Sequence, residues 1–115
     1  MKIIIKDSNF ILADQVQFAD TFMSRFKGWM GKTEIFEGEA LVIEPCNSIH
    51  TFFMKLPIDV IFLNKKNEIV FYQEGMRPYK ISSIISDAQK VIELRIGKIH
   101  ESKLRYKDSI IFVEN

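Results

Sequence analysis

The sequence predicts a mostly β fold of the α+β type. We expect a single small barrel-like or curled antiparallel or mixed sheet, with one amphipathic helix over about 18–30 and one short helix near 98–103. Three observations carry this. Short runs of β-branched and aromatic residues recur with a period of two along most of the chain. Turn-forming residues separate those runs every ~8–12 residues. Only from Phe18 through Phe22 and Phe26 to Trp29 does the apolar spacing become four, four and three, the rhythm of a helix.

In chain order, residues 2–6 are β-branched and read as a strand, Ser8-Asn9 as a turn, and residues 10–16 as the returning arm of a hairpin. The helix follows, its aromatic stripe expected to face the core, with Gly28 and Gly31 at its end. Residues 40–44 form a strand that Pro45 stops, and residues 48–55 form another that Pro57 ends. Residues 58–63 and 68–73 flank the polar turn Asn64-Lys65-Lys66-Asn67 and make a β-hairpin, with a loop over 74–78. Residues 81–85 and 90–96 are further strands, Gly97 breaks the second, and 98–103 make a short helical turn. Tyr106 to Ser109 turn the chain into a last strand, 110–113.

Composition excludes several classes. Sixteen basic against fifteen acidic residues leave a net charge of +1, which removes the excess of cations that nucleic-acid binding needs. No apolar stretch reaches the ~18–20 residues of a membrane span. Lys6 and Asp7 end the first apolar run well short of a signal peptide's ~7–15 residues. One cysteine cannot form an internal disulfide, which suits a reducing compartment. The expectation is a soluble, cytoplasmic, single domain over 1–115 with neither nucleic acid nor membrane as partner, and no oligomeric state is indicated.

Residues 45–63 read Pro-Cys-Asn-Ser-Ile-His-Thr-Phe-Phe-Met-Lys-Leu-Pro-Ile-Asp-Val-Ile-Phe-Leu. They gather the only cysteine, one of two histidines, two prolines and an aspartate within an apolar stretch. Arg25-x-x-Gly28-Trp29-Met30 precedes this run and Glu93-Leu94-x-x-Gly97 follows it. In this order the motifs resemble the domain of unknown function 192 family over about residues 15–113. That family shows an Arg-x-x-Gly-Leu-Met helix, a Phe-Trp-Met-Lys strand, a Pro-Leu-Asp-Ile-Ile-Phe strand and a Leu-Glu-x-x-x-Gly turn. Arg25, Gly28, Phe53, Met54, Lys55, Pro57, Ile58, Asp59, Glu93 and Gly97 match those motifs. Trp29 stands in the place of Leu, Phe53 in that of Trp, and the Asn-Thr after the Lys is missing, so a pocket built on those groups is reshaped here. The resemblance implies a compact, mostly β fold and brings no activity.

The chemistry-bearing residues divide into three sets. Cys46, His50 and Met54 look like a soft-metal set, but strand neighbours four apart stand ~13 Å from one another, so no metal and no cofactor is expected. Cys46 with His50 as base, and Asp59 to orient the histidine, is the catalytic alternative, a hydrolase or transferase site. The simpler account makes Cys46 a small buried hydrophobe and His50 a hydrogen-bonded side chain at a sheet edge. Asp59 interrupts an apolar strand and needs a partner: Lys55, Arg25, Arg77 or backbone N–H groups after Pro57. Glu93 is expected on the solvent face of an alternating strand, although the family match keeps it among the candidates. Arg25 and Lys55 form a candidate anion-binding pair, and Trp29 an exposed aromatic wall.

The leading expectation is a non-enzymatic binding module for a small molecule or an extended peptide. Its ligand would meet Arg25, Trp29, His50, Phe53, Met54, Lys55, Asp59 and Glu93. The alternatives are the Cys46/His50 enzyme and an accessory subunit of a larger assembly.

Overall fold

The structure is a computed structural model that describes residues 1–114; Asn115, the end of the expected 1–115 unit, lies outside the described residues. The chain runs β1 (Lys2–Ile5), β2 (Ile11–Ala13), β3 (Gln15–Ala19), α1 (Phe22–Lys27), β4 (Glu39–Ile43), β5 (Ile58–Leu63), β6 (Ile69–Met76), β7 (Lys90–Arg95), α2 (Lys98–Ser102) and β8 (Ile110–Val113). The strands make two sheets, a three-stranded one in the order β2-β1-β8 and a five-stranded one in the order β3-β4-β7-β5-β6. β3 and β4 are parallel and every other pair is antiparallel, so the large sheet is mixed. The fold is mostly β with two short helices, as expected, but the sheets do not close into a barrel.

The central strands of the five-stranded sheet, β4, β7 and β5, are buried on both faces, and strand alternation sorts their side chains between two cores. Ala40, Val42, Ile61, Leu63, Ile92 and Leu94 face the small sheet and α2, where they pack with Ile3, Leu12, Ile99 and Ile110. Leu41, Ile43, Ile58, Val60, Phe62 and Val91 face the other way, where Trp29, Ile49 and Met54 cover them. β5 is buried at all six positions and sits between β6 and β7. At ~1.5–3 kcal/mol per fully buried large apolar side chain, this sheet is the main source of stability.

The expected helix over 18–30 is corrected in both length and orientation. Residues 15–19 form β3, whose pairing sets Ala19 opposite Ile43 in the second core and leaves Phe18 outside. The helix begins only at Phe22, where Thr21 and Ser24 cap each other's backbone N–H in a capping box. It ends six residues later at Gly28, whose φ of 49° is a conformation that glycine adopts without strain. Too short to reach over the core, α1 buries none of its residues, and Phe22 stays 73% exposed. Of the aromatic stripe only Trp29 is buried, at 6% exposure, so the expected exposed wall is an interior one.

Two expected strands are irregular. Residues 48–55 and 81–85 pair with each other through Thr51, Ser82 and an isolated His50–Ile81 bridge, without forming regular strands. The expected loop over 74–78 is partly strand, because β6 continues to Met76 through a bulge opposite β5. The short helix near 98–103 and the hairpin of β5 and β6 are found where expected.

Candidate functional site

On the second face of the large sheet, α1 and the loop after β4 enclose a cleft of about 290 Å³. Of the residues singled out in the sequence, Arg25, Trp29, Cys46, His50, Met54 and Glu93 line it; Phe53, Lys55 and Asp59 do not.

Glu93 forms its floor. The register of β7 sets it beside Leu41 of β4 and Val60 of β5, both members of the second core. The expectation of a solvent-facing Glu93 is thereby corrected: it is 3% exposed. Alternation on β7 does not separate core from solvent, because both faces of that strand are covered. Its Oε1 has no hydrogen-bond partner. Burial raises the carboxyl's pKa from the ordinary 4.5 to about 8, so at neutral pH the group carries a proton. Gly28 borders it: a Cβ there would stand 3.7 and 3.8 Å from the two carboxyl oxygens. The glycine thus leaves open the space beside the carboxyl that any side chain would fill.

Cys46 and His50 share this cleft but not a hydrogen bond. The Cys46 thiol lies 3.0 Å from the Ser48 carbonyl oxygen, to which it donates. Burial, with Glu93 adding, raises its pKa and disfavours the thiolate. Both ring nitrogens of His50 are engaged elsewhere. The Phe52 N–H donates to Nδ1 at 3.2 Å, and Nε2 lies 3.2 Å from the Phe26 carbonyl oxygen, which can only accept. This pair of partners selects the neutral ring with its proton on Nε2. Phe26 and Phe52 flank the imidazole, each with a ring-centroid distance of 5.1 Å.

Asp59 lies on the opposite face of the sheet, fully buried. None of the expected side chains pairs with it. Two backbone groups do: Gly75 N–H, freed by the β6 bulge, and Ile99 N–H in the first turn of α2, each at 2.9 Å. Gly97, at the start of α2, offers no side-chain cap, and Asp59 supplies that bond from β5. Lys55 and Phe53 are exposed on the turn beyond His50, where Phe53 adopts a φ of 62° and its ring meets Tyr79 edge-on. Arg25 stands at the cleft's rim, with Nη1 3.4 Å from the Asp20 carbonyl. Among the described residues, no three His, Cys, Asp or Glu side chains are grouped to hold a metal ion.

Glu93, and not Asp59, is thus the carboxyl at the cleft. A signal for it was available: Val91-Ile92-Glu93-Leu94 is as apolar around its acid as Ile58-Asp59-Val60-Ile61, the mark of a strand buried on both faces.

Two packed sheets, with a cleft over a buried acid on one of them, define a small, mostly β protein of the α+β class. Residues 3–112 match the model of the DUF192 family, described as uncharacterized ACR, and the chain belongs to that family. It is 34% identical over 114 residues to a UPF0127 protein of Thermococcus sibiricus, covering 94% of this chain and 72% of that one. Against a UPF0127 protein of Pyrococcus abyssi it is 32% identical over 120 residues, covering 98% of this chain and 99% of the other. Its fold is similar to the crystal structure of a protein of unknown function from Novosphingobium aromaticivorans. That match has a TM-score of 0.85 at 17% identity and covers 97% of this chain and 84% of that one. No helix among the described residues is long and apolar enough to cross a membrane.

Proposed function

We propose that this protein is a non-enzymatic binding domain whose cleft takes a small ligand, with Glu93 as the polar handle. The observation that carries this is the unpartnered Glu93 Oε1 at the floor of the cleft. A buried polar atom without a partner costs ~1–3 kcal/mol, and a ligand that bonds to it recovers that cost. Because the carboxyl holds a proton near neutral pH, its natural complement is an amide. The amide oxygen accepts the carboxyl O–H while its N–H donates to the other carboxyl oxygen. Phe26, Trp29 and Met54 supply apolar walls for the rest of such a molecule, and the volume suits a small molecule better than an extended peptide.

A Cys46/His50 enzyme draws less support. Its thiol is held protonated and its histidine is committed at both nitrogens to backbone partners.

Trp29, the only tryptophan, lines the cleft and reports on it by fluorescence. Titration with benzamide is expected to change that fluorescence saturably and to raise the melting temperature. Affinity should fall about tenfold in Glu93→Leu, the loss of one well-placed polar contact, and should weaken above pH 8. A wild-type protein that answers neither benzamide nor benzylamine, by fluorescence or by melting, would overturn the reading.

A further inference from the structure

A different observation concerns the surface around the mouth of this cleft. Three stretches of chain meet there: residues 21–31, 45–58 and 75–86. Phe26 and Phe52 flank His50, Gly31 N–H donates to the Phe53 carbonyl, Thr51 Oγ1 donates to the Arg77 carbonyl, and the Phe53 ring packs on Tyr79. They therefore make one continuous face.

That face is apolar, and the charged side chains within its three stretches are basic, with exposed Asp20, Glu74 and Asp87 flanking them. Phe22, Met23, Phe26, Phe53, Tyr79 and Ile81 are all more than half exposed on it. Its three stretches carry five basic residues, Arg25, Lys27, Lys55, Arg77 and Lys80, and no acidic one. The rest of the chain is left with eleven basic residues against fifteen acidic. A net charge near zero thus conceals a cationic pole on an acidic body. Phe22 and Phe26 also border the cleft, whereas Met23, Phe53, Tyr79 and Ile81 stand outside it. Phe53 and Tyr79 hold their rings at turns with φ of 62° and 61°, a left-handed conformation that disfavours bulky residues.

We infer that this face docks peripherally on an anionic lipid surface. Phenylalanine, tyrosine and isoleucine side chains enter the headgroup boundary while the surrounding lysines and arginines meet lipid phosphates. A lipid surface conforms to three separate projecting tips, whereas a folded partner would need a matching concave mould. The sequence expectation of no membrane partner rested on the lack of a spanning segment, which has no bearing on peripheral attachment.

The test is co-sedimentation of the full chain with vesicles of phosphatidylcholine and phosphatidylglycerol in equal amounts, against phosphatidylcholine alone. Binding is expected only to the anionic vesicles, weakening as salt is raised, and about tenfold weaker in Lys27→Glu/Lys80→Glu. Phe22→Ser/Phe53→Ser is expected to abolish it. Since all four positions are exposed, melting temperatures should hold within a few degrees, which separates lost docking from lost folding. If one pair does not fold, the other still decides. Any of the following results would overturn the inference. One is no binding to anionic vesicles. The second is binding that neither pair weakens, or equal retention on a polyglutamate matrix, which would point to an acidic protein. The third is a wild-type dimer in sedimentation velocity that Phe22→Ser/Phe53→Ser dissociates, which would make the face a self-association surface. None of these outcomes bears on Trp29 fluorescence, so the cleft reading stands or falls separately.

Discussion

Asp59 and Glu93 lie on neighbouring strands, offset by one residue in register, and both are buried, yet they sit in opposite circumstances. Asp59 points toward α2 and receives two backbone N–H groups, one from a bulge in β6 and one from a helix start that has no cap of its own. Glu93 points the other way, between Leu41 and Val60, and its Oε1 receives nothing. The first acid solves two structural problems of the fold. The second creates one, beside the cleft for which we propose a ligand. Burial alone therefore does not mark a candidate site; burial without a partner, next to open space, is the sharper criterion.

Removing Asp59 should have the largest effect. Asp59→Ala leaves two buried N–H groups without acceptors, and urea unfolding should show a loss of about 3–5 kcal/mol. A loss under 1 kcal/mol would mean that water or neighbouring carbonyls take over, and the contrast between the two acids would collapse.

Glu93 should behave with the opposite sign. Its pKa is about 8 when folded and near the ordinary 4.5 when unfolded. Between those values the folded chain holds the extra proton, so stability declines as pH rises from 4.5 to 8 and levels off above that. Glu93→Leu removes this decline and should stabilise the protein by roughly 2–4 kcal/mol at pH 9, with little change at pH 5. Melting curves at pH 5, 7 and 9 decide it; parallel pH profiles for wild type and variant would place the carboxyl in water.

Gly28→Ala tests the space beside the acid. The left-handed φ should cost about 1–2 kcal/mol of stability, and the added methyl group should weaken benzamide binding beyond what the stability loss explains. An unchanged affinity would show that the ligand does not approach the carboxyl along this edge. The smallest effect is expected at the thiol. Iodoacetamide should modify folded Cys46 slowly at neutral pH, and His50→Ala should leave that rate within about twofold, because a protonated thiol gains nothing from a histidine not bonded to it. A rapid reaction that His50→Ala suppresses would revive the catalytic pair.

Much of the fold was legible in the residues. The runs at 40–44, 58–63, 90–96 and 110–113 are β-branched and bounded by proline, glycine or polar turns, and each is a strand within a residue or two. The helix was misread because Phe18, Phe22, Phe26 and Trp29 satisfy helical spacing although they belong to a strand, a six-residue helix and a buried turn. Spacing reports which residues would share a face if a helix formed; it does not report where the chain bends. Residues 48–55 alternate like a strand, but Phe53 in a left-handed conformation breaks the ladder. Of the candidate site, Arg25, Trp29, His50 and Met54 do share the cleft with Glu93, whereas Asp59 was drawn in by an apolar context that both acids possess equally.

By itself the sequence determined most of the strands, the family and the short list of polar residues embedded in apolar runs, since these depend on local patterning and on motif order. The tertiary structure decided which of two buried acids is satisfied and which aromatic residues are core. Both depend on what covers each face of a strand, and that is supplied by distant segments: α2 and the β6 bulge for Asp59, a six-residue helix and its glycine for Glu93. The near-zero net charge is a property of the sum; folding brings three acid-free stretches onto one side, which the sum does not report.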